Sequence, residues 1–412
     1  MSRPPLLSLD EALPLLLARA QPLPGVDEVS TFEGDGRVLA EDLLSALQVP
    51  PQDNSSMDGY AVRCADVSAP GAVLKVTQRI PAGTHGQPLN AGEAARIFTG
   101  APIPQGADAV VMQEDCVAES DTVRVQQVPA SGQWIRRSGE DVARGDRVLS
   151  RGERLSPAAL GLAASIGLAS LKVAPRPRVA LFSTGDELVM PGEVAPEAMK
   201  PGAIYNSNRF FLRALLQRLG CEVSDLGIVP DRREATEAAL RAAAEHHDLI
   251  LTSGGVSVGE EDHVKPAVEK WGELTLWSLA IKPGKPFAFG AIRRSEGASS
   301  AHFMGLPGNP VSSFLTFLLL VRPFVLALQG ATCLVAPQQR MQAHFDWPRA
   351  DKRREFLRVR RNANGGLDLF PNQSSGVLTS AVWGDGVVDN PPGQTIRAGD
   401  TVSFISLAEW QA

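Results

Sequence analysis

The amino-acid sequence predicts a multidomain protein of the α/β plus β class. Its 412 residues are enough for one large domain or about two to four ordinary ones. Strands and helices alternate between about residues 178 and 330, whereas short β-rich runs divided by tight turns precede and follow this segment. Glycine (38 residues) and proline (31 residues) make up roughly 17% of the chain against a usual ~12%, which indicates many shaped turns.

The first 177 residues are predicted to form a framework and an insertion. Ser8 followed by Glu11 matches a capping box and predicts an amphipathic helix near the amino terminus. Residues 49–139 alternate β-rich runs with glycine and proline turns, which is typical of a small β domain. The flanking stretches, 1–48 and 140–177, are helical or mixed. We therefore predict one discontinuous framework domain into which the β domain is inserted.

The central segment, residues 178–330, is predicted to be a doubly wound α/β domain. Strands that alternate with helices at this spacing predict βαβ units around a parallel sheet. The tail, residues 331–412, returns to short β-rich runs and predicts a small barrel-like or sandwich domain. The predicted central elements are the strand Val179–Ser183, the helix Arg209–Leu219, the strand Glu222–Val229, the helix Glu234–Glu245 and the strand Asp248–Thr252.

Composition and charge argue against several classes of protein. The formal net charge is −6 and aromatic residues make up 6% of the chain, so we expect no nucleic-acid surface. The four cysteines are far apart, which argues against a disulfide framework or a structural zinc site. Asp10 and Glu11 interrupt the amino-terminal apolar stretch, which a signal peptide would not tolerate. The apolar run Phe314–Leu328 contains Arg322 and Pro323 and is too short to cross a bilayer. A soluble cytoplasmic protein without a membrane partner is predicted.

Three loops follow strand ends or precede a helix in the α/β segment: Ser183–Glu187, Thr252–Gly259 and Gly305–Pro310. Ligands bind outside the carboxyl ends of the strands in such sheets, so the loops are expected to converge on one site. Their glycines and small residues let backbone N–H groups surround an anion. An ordinary glycine turn explains the loop Ser253–Gly259 equally well when it is taken alone, and a plain helix start explains Pro307–Pro310 better, but the convergence of three such loops favours a ligand site. The run Asn206-Ser207-Asn208 is better explained by helix capping, with ligand contact as an addition.

Carboxylates and lysines gather at the same strand ends. Carboxylates beside an anion site are how Mg²⁺ is usually held. Glu260 and Glu261 are better explained by the first turn of the next helix, where acidic residues favour the helix dipole, which leaves Asp186, Glu187 and Asp262 as the carboxylates of interest. Lys282 and Lys285 flank a stiff proline–glycine turn that suits a compact oxyanion, with a solvated basic turn as the alternative. The residues alone thus predict a Mg²⁺-dependent site for a phosphorylated ligand. The carboxylates are Asp186, Glu187, Asp231, Glu260, Glu261 and Asp262.

Eight runs, in order along most of the chain, resemble the MoeA family of molybdopterin molybdenumtransferases, which includes the E domain of gephyrin. Only the tail is weakly patterned. The runs are NSSMDGYAV (54–62), RIFTGAPIPQGADAVV (96–111), GEDV (139–142), STGDEL (183–188), IYNSNRFFL (204–212), TSGGVSVGEEDH (252–263), LAIKPGKPFAFG (279–290) and GLPGNPVSS (305–313).

The resemblance implies an enzyme of molybdenum-cofactor biosynthesis. Members hydrolyse adenylylated molybdopterin with the help of Mg²⁺, release AMP and insert molybdate. The resemblance also implies that segment 178–330 is a MogA/MoaB-like molybdopterin-binding domain, that the framework serves dimerisation, and that the protein is an elongated homodimer. The expected protein partners are the molybdopterin adenylyltransferase and downstream proteins of molybdoenzyme maturation.

The same resemblance implies roles for individual residues. One subunit is expected to supply Asp58, Thr99 and Asp141, and the other Glu187, Asp231 and Asp262. A molybdate pocket is expected from Lys282, Lys285 and Pro286, with Ser312 or Ser313 and, from the tail, Arg353 and Ser375; Lys352, Arg354 and Ser374 are the alternatives in the tail. Mg²⁺ is assigned to Asp186, Glu187 and Asp262. The loop residues expected to contact the ligand are Thr184, Gly185, Ser253, Gly254, Gly255, Ser257, Pro307, Gly308 and Asn309.

Two other functions compete with this interpretation. A stand-alone molybdopterin adenylyltransferase shares the TSGGVS-type loop, but it needs only the middle third of the chain and gives the run 54–62 no role. A non-enzymatic scaffold of the gephyrin kind does not need Asp58, Lys282 or Asp262. The transferase accounts for all of these features.

Overall fold

A six-stranded mixed sheet forms the centre of the molecule. The computed structural model describes residues 6–256, 263–295 and 299–411. In spatial order the strands are Glu222–Val229, Arg178–Thr184, Leu249–Ser253, Ser300–Leu306, Pro286–Arg293 and Gly272–Ser278. The first four are mutually parallel, and Pro286–Arg293 pairs antiparallel with both Ser300–Leu306 and Gly272–Ser278. The prediction of a parallel sheet is therefore wrong for this edge, because the connections after Gly272–Ser278 and Pro286–Arg293 are too short for a parallel crossover.

Helices cover both faces of this sheet. Alternate residues of the strand Arg178–Thr184 point to opposite sides, so Val179 and Leu181 lie in one buried cluster and Ala180 and Phe182 in the other. The first face carries the helices Leu9–Leu17, Asn208–Arg218, Pro310–Thr316 and Arg322–Leu328, and the second carries Arg233–His246 and Val264–Trp271.

The amino-terminal helix confirms its predicted cap. The Ser8 side chain accepts the N–H of Glu11, and the Glu11 carboxylate accepts the N–H of Ser8. Leu9, Ala12 and Leu16 form a helical stripe that is buried in the α/β core. The helix therefore packs against the central domain, whereas later strands of the same flank, Asp27–Ser30 and Leu43–Leu44, pair with strands of the second flank to form the framework.

Residues 310–328 form one buried helical segment, in which a π-helical turn, Phe317–Val321, joins the two α-helices. At 19 residues this segment is long and apolar enough to cross a membrane, so the prediction that the apolar run around Arg322 and Pro323 is too short to do so is wrong. Its most apolar stretch is 94% buried inside the protein, and Arg322 donates to the carbonyl of Leu334. These contacts are those of a core helix.

The first part of the chain contains a β domain and a framework. The β domain is a six-stranded sheet of Ala109–Met112, Gly59–Val62, Glu93–Ile97, Ala72–Ile80, Thr122–Val125 and Cys116–Glu119 in spatial order. In the framework, strands from the two flanks pair with each other, Asp27–Ser30 with Ser170–Val173 and Leu43–Leu44 with Arg147–Leu149, beside the helix Pro157–Ser165. This pairing agrees with an insertion, while the four domain boundaries stay a prediction. Smaller strands are Asn54–Ser55, Ile135–Arg136, Leu188–Val189 and Ile204–Tyr205, and the 3₁₀ turns are Thr31–Glu33, Cys64–Asp66, Gln113–Asp115 and Pro196–Ala198.

The tail closes into a small barrel. Its strands are Gln339–Ala343, Arg354–Arg361, Gly366–Leu369, Gly386–Asn390 and Thr401–Ser406, with the helices Thr379–Trp383 and Leu407–Gln411. The barrel closes because Arg354–Arg361 pairs with both Gly366–Leu369 and Gly386–Asn390. The short strand Ile281–Lys282 joins this sheet in parallel with Arg354–Arg361 and links the barrel to the α/β domain. The predicted multidomain α/β plus β fold is confirmed.

Candidate functional site

A cavity of about 510 Å³ lies at the carboxyl ends of the central parallel strands. The three predicted loops converge there, and Pro286, the first residue of the strand Pro286–Arg293, also lines the cavity. The topology explains this, because the parallel strands Arg178–Thr184, Leu249–Ser253 and Ser300–Leu306 all end at the same edge of the sheet. The predicted residues that line the cavity are Thr184, Glu187, Ser253, Gly254, Pro286, Pro307, Gly308, Asn309 and Ser312.

Glycine is required where two of these loops meet. Gly254 has φ +92°, and a Cβ there would lie 2.6 Å from the carbonyl oxygen of Thr184. Gly255 has φ +66°, and its Cβ would lie 2.6 Å from Oγ1 of Thr184. Any side chain would separate the loops. Gly185 and Gly255 are not among the residues that line the cavity, and Ser257 lies outside the described residues.

Asn208 connects the loops, a role that the sequence did not predict. Its Nδ2 donates to Oγ of Ser253 at 2.9 Å and to the carbonyl of Gly308 at 2.7 Å. The predicted capping role is wrong for this residue, since Asn208 is the first residue of the helix Asn208–Arg218 and its amide turns inward. Asn206 comes nearer to capping, because its Oδ1 accepts the N–H of Arg209 at 3.3 Å.

Two buried polar atoms at the cavity wall have no hydrogen-bond partner among the described residues. They are Oγ1 of Thr184 and Nδ2 of Asn206. Buried polar groups in proteins are nearly always paired, so unpaired atoms in a cavity wall favour a polar ligand. Asn206 lines the cavity, so the ligand contact that the sequence offered for the run Asn206-Ser207-Asn208 in addition to capping stays a prediction that its position supports.

The carboxylates near the cavity fit a Mg²⁺ site in which the bound substrate supplies part of the coordination. Glu187 lines the cavity, and Oδ1 of the adjacent Asp186 accepts the N–H of Asp231 at 3.2 Å. Asp262, Glu260 and Glu261 lie outside the described residues, and the described part of the chain contains no cluster of three potential metal ligands. One or two carboxylates with substrate phosphates are the usual way to hold Mg²⁺, so the residues fit such a site.

Lys282 and Arg353 are brought together at the joint between the α/β domain and the barrel. Nζ of Lys282 lies 2.9 Å from Glu355 and 3.2 Å from Asp351, and Arg353 donates to both oxygens of Asp351 at 3.0 and 2.9 Å. Burial alone would lower the pKa of Lys282, but hydrogen bonds to the two carboxylates outweigh it and raise that pKa. Three residues separate Lys282 from Pro286 in the cavity wall, a span of at most about 14 Å.

The tail reaches the cavity through one loop. The carbonyl of Ser375 accepts the N–H of Val311 at 2.9 Å, and Gly376 lines the cavity. Of the alternatives in the tail, Arg354 is engaged by Asp389, and the carbonyl of Ser374 accepts from Arg358. Neither Arg353 nor Ser375 is among the residues that line the described cavity.

Asp58, Thr99 and Asp141 lie in the amino-terminal part of the chain. The N–H and Oγ1 of Thr99 both lie 2.8 Å from Oδ1 of Asp58, and these hydrogen bonds, the backbone one foremost, lower the pKa of that carboxyl group. Asp141 follows the β domain, where its N–H donates to the carbonyl of Val49. Within the described chain, none of the three lines the cavity of its own subunit, and neither does Lys285.

The fold and the site define a multidomain α/β plus β enzyme with a small-molecule cavity in its central domain. Three family descriptions match consecutive parts of the chain: "MoeA N-terminal region (domain I and II)" at residues 7–167, "Probable molybdopterin binding domain" at 180–327 and "MoeA C-terminal region (domain IV)" at 340–407. The chain belongs to the MoeA family, so the resemblance seen in the sequence is confirmed.

Relatives with similar sequences and structures span most of the chain. A molybdopterin molybdenumtransferase of Haemophilus influenzae is 45% identical over 328 residues, which are 79% of this chain and 78% of that protein. One from Synechococcus elongatus is 37% identical over 98% of this chain and all of that protein. The crystal structure of a molybdopterin biosynthesis moeA protein from Pyrococcus horikoshii covers 98% of this chain and all of that chain, with a TM-score of 0.84 at 29% identity.

Proposed function

We propose that this protein is a molybdopterin molybdenumtransferase that inserts molybdate into adenylylated molybdopterin, with Mg²⁺-dependent hydrolysis and release of AMP. The observation that carries the proposal is the cavity at the strand ends, which is lined by strand-end loops and by two residues, Thr184 and Asn206, that each have a buried polar atom without a hydrogen-bond partner among the described residues. The names of the relatives supply the substrate class.

Each part of the site has a defined task in this proposal. The loop Ser253–Gly255 seats phosphate with backbone N–H groups, and Oγ1 of Thr184 and Nδ2 of Asn206 supply the hydrogen bonds that the protein leaves open. Lys282, Lys285 and Arg353 supply positive charge for molybdate. Asp186, Glu187 and Asp262 would hold Mg²⁺, which would neutralise charge that develops on the phosphates.

The proposal includes a homodimer with composite active sites. Asp58 and Thr99 form a hydrogen-bonded unit that does not line the cavity of their own subunit, which agrees with a role at the partner's cavity. With Asp141 they would meet Glu187, Asp231 and Asp262 of the other subunit. The protein would act in the cytoplasm, receive its substrate from the molybdopterin adenylyltransferase, and pass its product to proteins of molybdoenzyme maturation.

The direct test measures AMP release from adenylylated molybdopterin with Mg²⁺, with and without molybdate. Wild type, Glu187→Gln and Asp262→Ala are compared with Glu193→Gln, which removes an exposed carboxylate six residues beyond Glu187. We expect molybdate-dependent release by wild type and Glu193→Gln, with losses of at least ~100-fold in the other two variants if the carboxylates hold the metal. If folded wild-type protein released no AMP, the transferase proposal would be contradicted.

Mixing two inactive variants tests whether the site is composite. Refolding Asp58→Asn together with Glu187→Gln would give heterodimers in which one site carries both changes and the other carries neither. Random pairing would restore about one quarter of the wild-type sites. If both residues act in the same subunit, the mixture stays as inactive as its parents.

A further inference from the structure

Four charged side chains form a closed cluster where the α/β domain meets the barrel. Lys282 is paired in the sheet with Glu355, and both Glu355 and Asp351 contact its Nζ. Arg353 donates Nε and Nη2 to the two oxygens of Asp351. Two cations and two carboxylates thus give this group a net charge of zero.

The two carboxylates differ in how firmly they are held. The Glu355 side chain is 1% exposed, and its second oxygen accepts Nε1 of Trp347 at 2.8 Å. The Asp351 side chain is 19% exposed and lies in the segment just before the strand Arg354–Arg361. Glu355 is therefore a fixed counter-charge beneath Lys282, whereas Asp351 lies across both Lys282 and Arg353 on the more accessible side.

An oxyanion that binds this cation pair has to compete with Asp351. The donors it needs, Nζ of Lys282 and the Nε and Nη2 of Arg353, already face the Asp351 carboxylate. A doubly charged oxyanion would also be repelled by a carboxylate that stayed in place. We infer that Asp351 is an internal competitor that occupies the cation pair and sets how strongly molybdate binds there. This inference rests on the proposed function, since it assigns molybdate to Lys282 and Arg353.

The competition persists over the working pH range. The hydrogen bonds from Arg353 hold the pKa of Asp351 far below its usual value, so this carboxyl group is ionised wherever the enzyme is folded and active. The hydrogen bonds thus outweigh the opposing effect of burial and keep the competing charge in place. The apparent affinity of the oxyanion is reduced by the fraction of molecules in which Asp351 covers the cations.

The test is isothermal titration of the full-length protein with sodium molybdate and, separately, sodium sulfate. Asp351→Asn keeps the size of the side chain and removes its charge, and Asp351→Ala removes the contacts as well. Asp400→Asn is the matched control, because it removes one aspartate charge from the exposed surface of the same barrel. We expect Asp351→Asn and Asp351→Ala to bind both oxyanions more tightly, on the order of tenfold, and Asp400→Asn to bind like wild type.

Unchanged or weaker oxyanion binding in both Asp351 variants, with thermal unfolding like that of wild type, would overturn the inference and leave Asp351 as a residue that orients Arg353. Measurement of AMP release on the same samples separates the two proposals. Wild-type protein that releases AMP but gains no affinity from Asp351→Asn contradicts only the internal competitor. Wild-type protein that neither binds molybdate nor releases AMP contradicts the proposed function as well.

Discussion

The sequence around Asn208 predicts a different role from the one that this residue has in the structure. The run Asn206-Ser207-Asn208 before a helix is typical of capping, and one of the three side chains does accept a helical N–H. The Asn208 amide instead joins two strand-end loops that lie 45 and 100 residues further along the chain. No local pattern reports on such a distant contact.

Replacing Asn208 with alanine is expected to destabilise the α/β domain by about 2 kcal/mol, because the carbonyl of Gly308 and the hydroxyl of Ser253 would lose a buried donor. Urea unfolding followed by near-UV circular dichroism measures the change. Asn90→Ala, which removes an exposed hydrogen bond to Glu93, is the control and should cost less than about 0.5 kcal/mol. Equal effects of the two changes would show that Asn208 does not hold the loops.

The cysteine thiols are predicted to differ in reactivity. Burial, followed by the nearby carboxylates of Asp108 and Asp115 respectively, raises the pKa of Cys64 and of Cys116 to about 11. At pH 8 only about one in a thousand of each of these two thiols would be ionised. Iodoacetamide should therefore label the exposed Cys333 at least tenfold faster, and labelling of the other two should accelerate with each unit of pH.

Mass spectrometry of peptides from timed reactions measures each labelling rate. Cys333→Ser is the control, since it should remove the fast phase and leave the slow ones unchanged. Labelling of Cys64 or Cys116 as rapid as that of Cys333 at pH 8 would contradict the pKa shifts.

At the scale of elements, the first three strands and two helices of the central domain were predicted closely because their sequences alternate cleanly, whereas the strands Pro286–Arg293 and Ser300–Leu306 were not predicted. The strand Glu222–Val229 is confirmed residue for residue, and the following helix, Arg233–His246, is one residue longer at each end than predicted. The barrel strand Gln339–Ala343 was missed, since only Met341 and Ala343 in it are apolar. Its place is set by hydrogen bonds to Thr401–Ser406 and Gly366–Leu369, which no periodicity within the segment reveals.

Gly254→Ala tests how closely the strand-end loops must approach. The new Cβ would lie 2.6 Å from a backbone oxygen at a φ that favours glycine, so we expect a loss of stability of about 2–4 kcal/mol and at least tenfold weaker binding of the proposed pterin substrate. Thermal unfolding and the KM for adenylylated molybdopterin measure the two effects.

Gly192→Ala is the matched control for this change. Gly192 has nearly the same φ, +90°, in the same domain, but a Cβ there meets no atom within 4 Å. It should therefore lose only about 1 kcal/mol and keep the wild-type KM. If the two variants behave alike, backbone strain rather than loop contact explains the glycine.

At the scale of the whole molecule, Arg354 joins three parts of the chain. It donates to both oxygens of Asp389 in the barrel at 2.6 Å and to Asp10 in the amino-terminal helix at 2.8 Å. The Asp389 side chain is 4% exposed and the Asp10 side chain 83% exposed. The same arginine thus has one buried and one exposed partner, which separates the effect of burial from that of charge.

Asp389→Asn is expected to lower the free energy of unfolding by about 3 kcal/mol, because it leaves the partly buried guanidinium of Arg354 without its buried charged partner. Asp10→Asn should cost less than about 0.5 kcal/mol, since exposed ion pairs contribute little. Differential scanning calorimetry at pH 7 measures both. A loss at Asp10→Asn as large as at Asp389→Asn would contradict the importance of burial.

The sequence by itself determined the fold class, the family and the first strands and helices of the central domain, because these depend on local periodicity and on motifs that are contiguous in the chain. It also indicated the three loops that form the cavity. Only the tertiary structure decided that the strand Pro286–Arg293 pairs antiparallel with both of its neighbours, that Asn208 connects the loops and that Asp351 covers Lys282 and Arg353. The contacts of Asn208 with Ser253 and Gly308, and of Asp351 with Lys282, join segments that are distant in the chain. Their free energy comes from buried hydrogen bonds and paired charges that exist only once the chain is folded.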